Sequence, residues 1–436
     1  MVLLWGAPAA AVGSPMHVLD ESHILLFLVQ VSVLLALART LGVLCEEVKI
    51  PSLAGEIVAG VLLGPTVLGR VAPALQAALF PHEAAQVTML ETVSWLGVFF
   101  LLLASGFHVD VGHALRSGRA ALLVGIVGVL VPIAVGAVAF LGIDAGYRGP
   151  NADHLAFVLF LAVAGSITAI SVVARALGDL GLQKSPIGSL ALSACAVNDL
   201  FGWLLFTVVM AIATGDQVAP SELVTTFLAT LGFVALCIGL GSRVIAGAAS
   251  LVKRTSLSQP AALQTLIVSA GLLCGAVTQW LGIHAILGFF LAGTMVGSAE
   301  GVSEELEASF SDTVHSLFVP LFFATLGLHI DFLTGLELGI TALFTAVAVG
   351  GKFVGAWVGA RLGGIDRGQA VLMGLIFVPG GAMEIVVAAL ALELGLIADR
   401  VFVAVVFAAL VSSIVAGPLV GWQAKRLGDL ASPEPA

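Results

Sequence analysis

The sequence predicts an all-α polytopic membrane protein of about thirteen transmembrane helices. The expected plan is two inverted-topology repeats, helices 1–6 and 8–13, with two crossed discontinuous helices. Three observations lead there. Of the 436 residues, 59% are hydrophobic and only 10% are charged. Soluble domains carry about 25% charged residues, and the mean hydropathy here is +1.13. Apolar runs of about 20 residues, the length needed to cross a bilayer, recur along the chain. Finally, two distant stretches share one spacing of glycines, "IPSLAGEIVAGVLLG" at 50–64 and "IHAILGFFLAGTMVG" at 283–297.

The expected helices lie near 23–44, 52–69, 87–107, 119–142, 154–176, 186–214, 222–248, 260–281, 284–299, 313–329, 338–360, 367–391 and 400–421. Residues 1–22 read as a short leader on the outer side. The membrane domain then spans 23–421, with repeat one at about 23–214, a linker helix at about 222–248 and repeat two at about 260–421. Residues 422–436 read as a short cytoplasmic tail. Orientation follows from Lys and Arg, which collect in cytoplasmic loops. With the N-terminus outside, thirteen of the 17 basic residues fall on the cytoplasmic side. Three (Arg70, Arg148 and Arg400) fall outside, and Lys352 lies within a helix. An even helix count would scramble that bias. The expected orientation is therefore N-terminus out and C-terminus in, and the expected location is a bacterial inner (plasma) membrane.

The two glycine stretches share I-x-x-[LI]-x-G-x-x-x-A-G-x-x-x-G, and "GFHVD" at 106–110 matches "GLHID" at 327–331. These pairs relate helix 2 to helix 9 and helix 3 to helix 10. The offset of seven is odd, so the second copy enters the membrane from the opposite side. Inverted repeats mark secondary transporters that alternate access around a midplane site. Chance similarity between Gly/Ala-rich spans competes with that reading, but the matches are ordered and share one offset.

Such sites are built on interrupted helices. The fifth helix carries "AGSITAIS" (164–171), which places Ser166 and Thr168 in mid-span. Its repeat partner, the twelfth, carries "FVPGGAMEI" (377–385). There Pro379 removes a backbone donor, and Gly380 and Gly381 loosen the turn. Free carbonyls and N–H groups at such breaks can face an ion without meeting lipid.

Asp199, in "ACAVNDLFGW", is the only charge between Lys184 and Asp216. A carboxylate near the bilayer centre costs at least ~2.5–3.5 kcal/mol. Burial penalises its charged form, so such a group can hold a proton or a small cation, and not comfortably both. Competition for one carboxylate is the simplest chemistry of cation/proton exchange. Small neighbours on its face, Cys195, Ala196 and Gly202, leave room for an ion. Asn198 offers hydrogen bonds without charge. The competing reading of Asp199 is a permanent ion pair, with Lys352 as the cation. Lys352 could equally neutralise charge at the helix crossing, and Glu384 could cap broken backbone or pair with Lys352. Glu56, in the shallow part of the second helix, is a candidate gating residue or a partner of a loop arginine. His108 and His329 fall at equivalent helix ends and read as interfacial. The acidic stretch 299–312 reads as a solvated connection. The four cysteines read as isolated, buried thiols.

These residues resemble the monovalent cation:proton antiporter-2 family, which includes bacterial sodium/proton antiporters and plant cation/proton exchangers. The motifs are "PSLAGEIVAGVLLGPTVLG" (51–69), "LLLASGFHVD" (101–110), "VNDLFGWLL" (197–205), "LGIHAILGFFLAG" (281–293), "VPLFFATLGLHID" (319–331) and "FVPGGAMEIVVAALALELGLI" (377–397). The resemblance implies a mobile core domain with crossed helices 5 and 12, a dimerisation domain and a homodimer. It implies that Asp199 carries the cation (Na+ or K+, the only metal expected) and the proton. It also places Thr168 at the site and Lys352 as the basic residue of helix 11.

Three positions depart from relatives. Electrogenic members have two adjacent aspartates where this chain has Asn198 and Asp199. Electroneutral members of the sister family often have Asp where this chain has Ala169. Many relatives have Arg or Lys at the position of Gly380. The expectation is one-for-one, electroneutral exchange of Na+ or K+ for H+, becoming electrogenic only if Lys352 also releases a proton.

The partners expected are membrane lipid, monovalent cations and protons, with no nucleic acid and no cofactor beyond the transported ions. A potassium efflux channel and a sodium-coupled organic anion symporter are the alternatives. The symporter would call for an anion-binding Arg at membrane depth, and none is placed there. An enzyme is not expected, because a protease would need a second Asp or a Ser/His pair in the membrane.

Overall fold

A computed structural model describes residues 20–48, 50–109, 118–214, 220–254, 259–329 and 331–428. Nearly all of the expected leader, and the tail beyond 428, lie outside the described residues. The elements are α1 (Glu21–Glu47), α2 (Ser52–Leu63), α3 (Ala84–Phe107), α4 (Arg119–Phe140), α5a (His154–Ala164), α5b (Ile170–Asp179) and α6 (Pro186–Thr214). The linker α7 comprises Pro220–Leu236, a π-turn at Cys237–Gly241, and Ser242–Lys253. There follow α8 (Gln259–Trp280), α9 (Ala285–Gly297), α10 (Glu304–His329), α11 (Leu338–Leu362), α12a (Arg367–Ile376), α12b (Gly381–Glu393) and α13 (Asp399–Leu427).

Among the described residues, ten helices are long and apolar enough to cross a membrane, or eleven when the bent pair α12a–α12b counts as one span. The expected count of thirteen is therefore not confirmed by length and apolarity, although two helices are discontinuous as expected. The fifth is divided into short halves, and α9 has only 13 residues.

The acidic stretch is a loop only over 299–303. Residues Glu304–Thr313 are helical and run through a π-turn at Val314–Phe318 into the rest of α10. Ser303 caps the start by accepting from the Leu306 N–H, and Glu304, Glu305 and Glu307 fill the first turn. A hydroxyl cap and early carboxylates both favour a helix N-terminus. The thiols are not all isolated either, because the side chains of Cys237 and Cys274 hydrogen-bond across α7 and α8.

The shared glycines explain the packing. An added Cβ on Gly60 would sit 1.9 Å from the Ala324 carbonyl oxygen of α10. Its counterpart Gly293 would meet the Leu103 oxygen of α3 at 2.0 Å. Gly55 would strike the Leu41 oxygen of α1, and Gly288 the Cys274 oxygen of α8, each at 2.3 Å. Small residues let membrane helices approach backbone to backbone. Helix pairs correspondingly occur in exchanged form: α2 packs on α10 as α9 does on α3, and α1 on α2 as α8 on α9.

Two groups of helices result. One contains α1, α2, α3, α8, α9 and α10. The other contains α4, α5a, α6, α11, α12a, α12b and α13, with α5b held against α6. Between them Trp203 of α6 packs against Phe290 of α9, ring centroids 6.1 Å apart.

Candidate ion site at the helix crossing

The second group holds both interruptions. Residues 165–169 leave the helix between α5a and α5b, and 377–380 do so between α12a and α12b, which meet at 47°. The sequence drives each break. Pro379 supplies no N–H, and Gly381 takes φ +57°, a left-handed conformation that side chains disfavour. Its Cα side lies against Val172 and Ala169, where an added Cβ would meet Val172 Cγ2 at 2.7 Å. The breaks therefore cross in contact.

Freed backbone groups find partners here. Thr168 Oγ1 donates to the Phe377 carbonyl at 2.9 Å, tying one break to the other. Thr168 N–H donates to Asn198 Oδ1 at 3.2 Å, which ties both to α6. Ser166 Oγ donates to the Val163 carbonyl at 2.7 Å. Each hydroxyl spends its hydrogen on a carbonyl and keeps oxygen lone pairs for a ligand. Gly380 N–H donates to Ser412 Oγ of α13 at 3.3 Å.

Asp199 is 1% exposed, and neither carboxylate oxygen has a hydrogen-bond partner. The Ile170 N–H at the start of α5b faces it without hydrogen-bond geometry. A helix N-terminus favours a negative charge. Asn198 is fully buried and its Nδ2 is also unpartnered. Buried polar atoms are almost always paired in proteins, so this cluster of unused oxygens and N–H groups calls for a ligand or water.

Lys352 does not pair with Asp199. Its Nζ lies 3.2 Å from Glu384 Oε2, and both side chains are wholly buried. Glu384 stands in the first turn of α12b, where the helix dipole also favours it. Gly380 makes room for this pair: a Cβ there would lie 1.5 Å from Glu384 Oε2 and 2.9 Å from Lys352 Nζ. The departure at Gly380 thus has a steric reason.

Glu56 does not join the crossing. It is 1% exposed on α2, faces Arg39 and Glu46 of α1, and hydrogen-bonds Ser52. His108 follows the last residue of α3 and His329 ends α10. Sequence reasoning missed Ser412, whose only signal is a Ser-Ser pair in an apolar helix. It also missed Trp203, fully buried one turn beyond Asp199 with its indole N–H unpartnered.

The site is one lone carboxylate among hydroxyls and broken backbone. Among the described residues no group of three or more His, Cys, Asp or Glu could hold a metal ion. Comparison with known families finds a match to "Sodium/hydrogen exchanger, transmembrane" over residues 31–426. The chain belongs to that family. Its members are transporters and not enzymes. This exchanger is 30% identical to the Na(+)/H(+) antiporter NhaS4 of Synechocystis sp., over 92% of this chain and 98% of that one. It is also 30% identical to cation/H(+) antiporter 17 of Arabidopsis thaliana and 27% identical to K(+)/H(+) antiporter 1 of Saccharomyces cerevisiae. It spans about half the length of those two relatives, 48% and 47%. Among solved structures, the sodium proton antiporter MjNhaP1 of Methanocaldococcus jannaschii matches with TM-score 0.71 at 14% identity, over 93% of this chain and 99% of that one. At that identity the likeness speaks to the fold, that of an integral membrane protein.

Proposed function

We propose that this exchanger carries one monovalent cation, Na+ or K+, against one proton, with both competing for Asp199. The observation that carries the reading is the partner count at the crossing. Of its three buried charges, Lys352 and Glu384 neutralise each other and Asp199 has no partner. A single unpaired carboxylate can exchange one cation for one proton without moving net charge. Ser166 and Thr168 would supply neutral oxygen ligands, and Asn198 holds the α5 break in register. Pro379, Gly380 and Gly381 shape the second break. With Glu384 holding its ammonium group, Lys352 does not enter the proton count. Access alternates as one helix group moves against the other, and Glu56 gates at the edge of the first group.

In this reading the N-terminus faces out, the C-terminus lies in the cytoplasm, and the membrane is a bacterial inner membrane. The protein assembles as a homodimer, and light scattering of the purified protein that finds only monomer would remove that part.

The decisive assay uses proteoliposomes. An imposed pH gradient is expected to drive Na+ or K+ uphill at a rate unchanged when the membrane potential is clamped at different values. A channel would show no uphill flux, and a symporter would need an organic anion. Asn198→Asp adds a second carboxyl, and its exchange should become sensitive to potential. If Asn198→Asp remains insensitive, the control of stoichiometry assigned to this position is wrong.

A further inference from the structure

Charges meet across the seam between the two helix groups. Arg175 Nη2 of α5b lies 2.8 Å from Glu46 Oε1 in the last turn of α1. These residues belong to different groups. At the other end of the seam, Glu393, the last residue of α12b, faces Glu91 and Trp95 of α3. That end is the one where α1 begins, since Gln86 of α3 donates to the His23 carbonyl at 2.8 Å. The seam therefore carries an ion pair at one end, and at the other two like charges with the Trp95 indole as a neutral donor beside Glu393.

We propose that Glu46–Arg175 is a latch of the transport cycle, joined in this conformation and separated in the alternate one. At the far end like charges face each other and only the neutral Trp95 indole approaches Glu393, so among the described residues the ion pair that closes the seam lies at the α1 C-terminal end. The proposal rests on the reading above, in which one group moves against the other while carrying Asp199. Glu47, Glu56 and Arg39 are the other charged groups near Glu46 within α1 and α2. The latch is weak enough to open: its side chains are 60% and 32% exposed. Exposed ion pairs contribute little and are screened by salt.

The test joins positions 46 and 175 reversibly. In a protein whose four native cysteines are replaced by serine, Glu46→Cys and Arg175→Cys would be bridged by a reducible bis-methanethiosulfonate reagent of about the length of the ion pair. Bridged protein is expected to stop exchanging cations, to recover on reduction, and to retain its cation-induced rise in melting temperature. Full exchange in the bridged protein would overturn the latch. Charge reversal provides an independent reading. Glu46→Arg or Arg175→Glu alone should shift apparent cation affinity on the two membrane faces in opposite senses, by about two- to fivefold. The double reversal should restore both values, and identical values in all four proteins would also overturn the proposal. Failure of the Asp199 reading looks different: the unbridged parent would then lack cation-induced stabilisation that depends on Asp199.

Discussion

Replacing Asp199 by Asn is expected to reduce cation-driven proton release from proteoliposomes to the leak of empty vesicles. The amide keeps the shape and can neither bind a proton at this pH range nor balance a cation. Folding should not suffer. The wild-type carboxylate is 1% exposed with both oxygens unpartnered, so its charge costs stability when no ion is bound. A melting experiment should accordingly show Asp199→Asn at least as stable as wild type without added cation. Added Na+ or K+ should raise the wild-type melting temperature, because a ligand that binds only the folded state stabilises it. The variant should not respond. Retained exchange in Asp199→Asn would sink the proposed mechanism outright.

The second large effect lies at Lys352. Removing one member of a buried ion pair strands the other, which costs about 3–5 kcal/mol. Lys352→Ala is expected to lose stability of that order and to be found largely in aggregates or at a much lower melting temperature. Lys352→Met combined with Glu384→Leu should regain most of it, since well-packed apolar residues often replace a buried pair without loss. Gly380→Ala tests the same pair from the backbone. Its methyl group would occupy the space of Glu384 Oε2 and must push the carboxylate off Lys352 Nζ. Equal melting temperatures for wild type and Lys352→Ala would show that the pair is not what holds the crossing.

The departures from relatives now have separate meanings. Asn198 stays neutral while its Oδ1 braces the Thr168 N–H. Gly380 leaves room for a lysine that reaches in from α11. In the proposed mechanism the first position sets how many charges move; the second makes room for the Lys352–Glu384 pair.

Much of the plan was open to reading along one dimension. Hydropathy marks spans because lipid offers no hydrogen bonds, so segments that meet lipid must be apolar and regular. Asp199 stood out because its cost depends on the length of apolar chain either side, a local property. Gly55, Gly60, Gly288 and Gly293 were visible as a repeated spacing. The breaks announced themselves through Pro379, Gly380, Gly381 and the Ser-Thr cluster at 166–168.

Other features were decided only in three dimensions. Whether Lys352 met Asp199 or Glu384 depended on how α11 and α12b face each other, and spacing along the chain carries no information on that. The acidic stretch became helix because Ser303 capped it and α10 extended through a π-turn, which outweighed its low hydropathy. The Ser412 bond to Gly380 and the Glu46–Arg175 contact join residues 32 and 129 positions apart. Sequence alone marked the apolar segments and the one carboxylate that is expensive to bury among them, because both follow from transfer of single segments out of water. Tertiary structure decided which charges are neutralised and which is left unpaired, because that depends on the mutual orientation of helices distant in the chain.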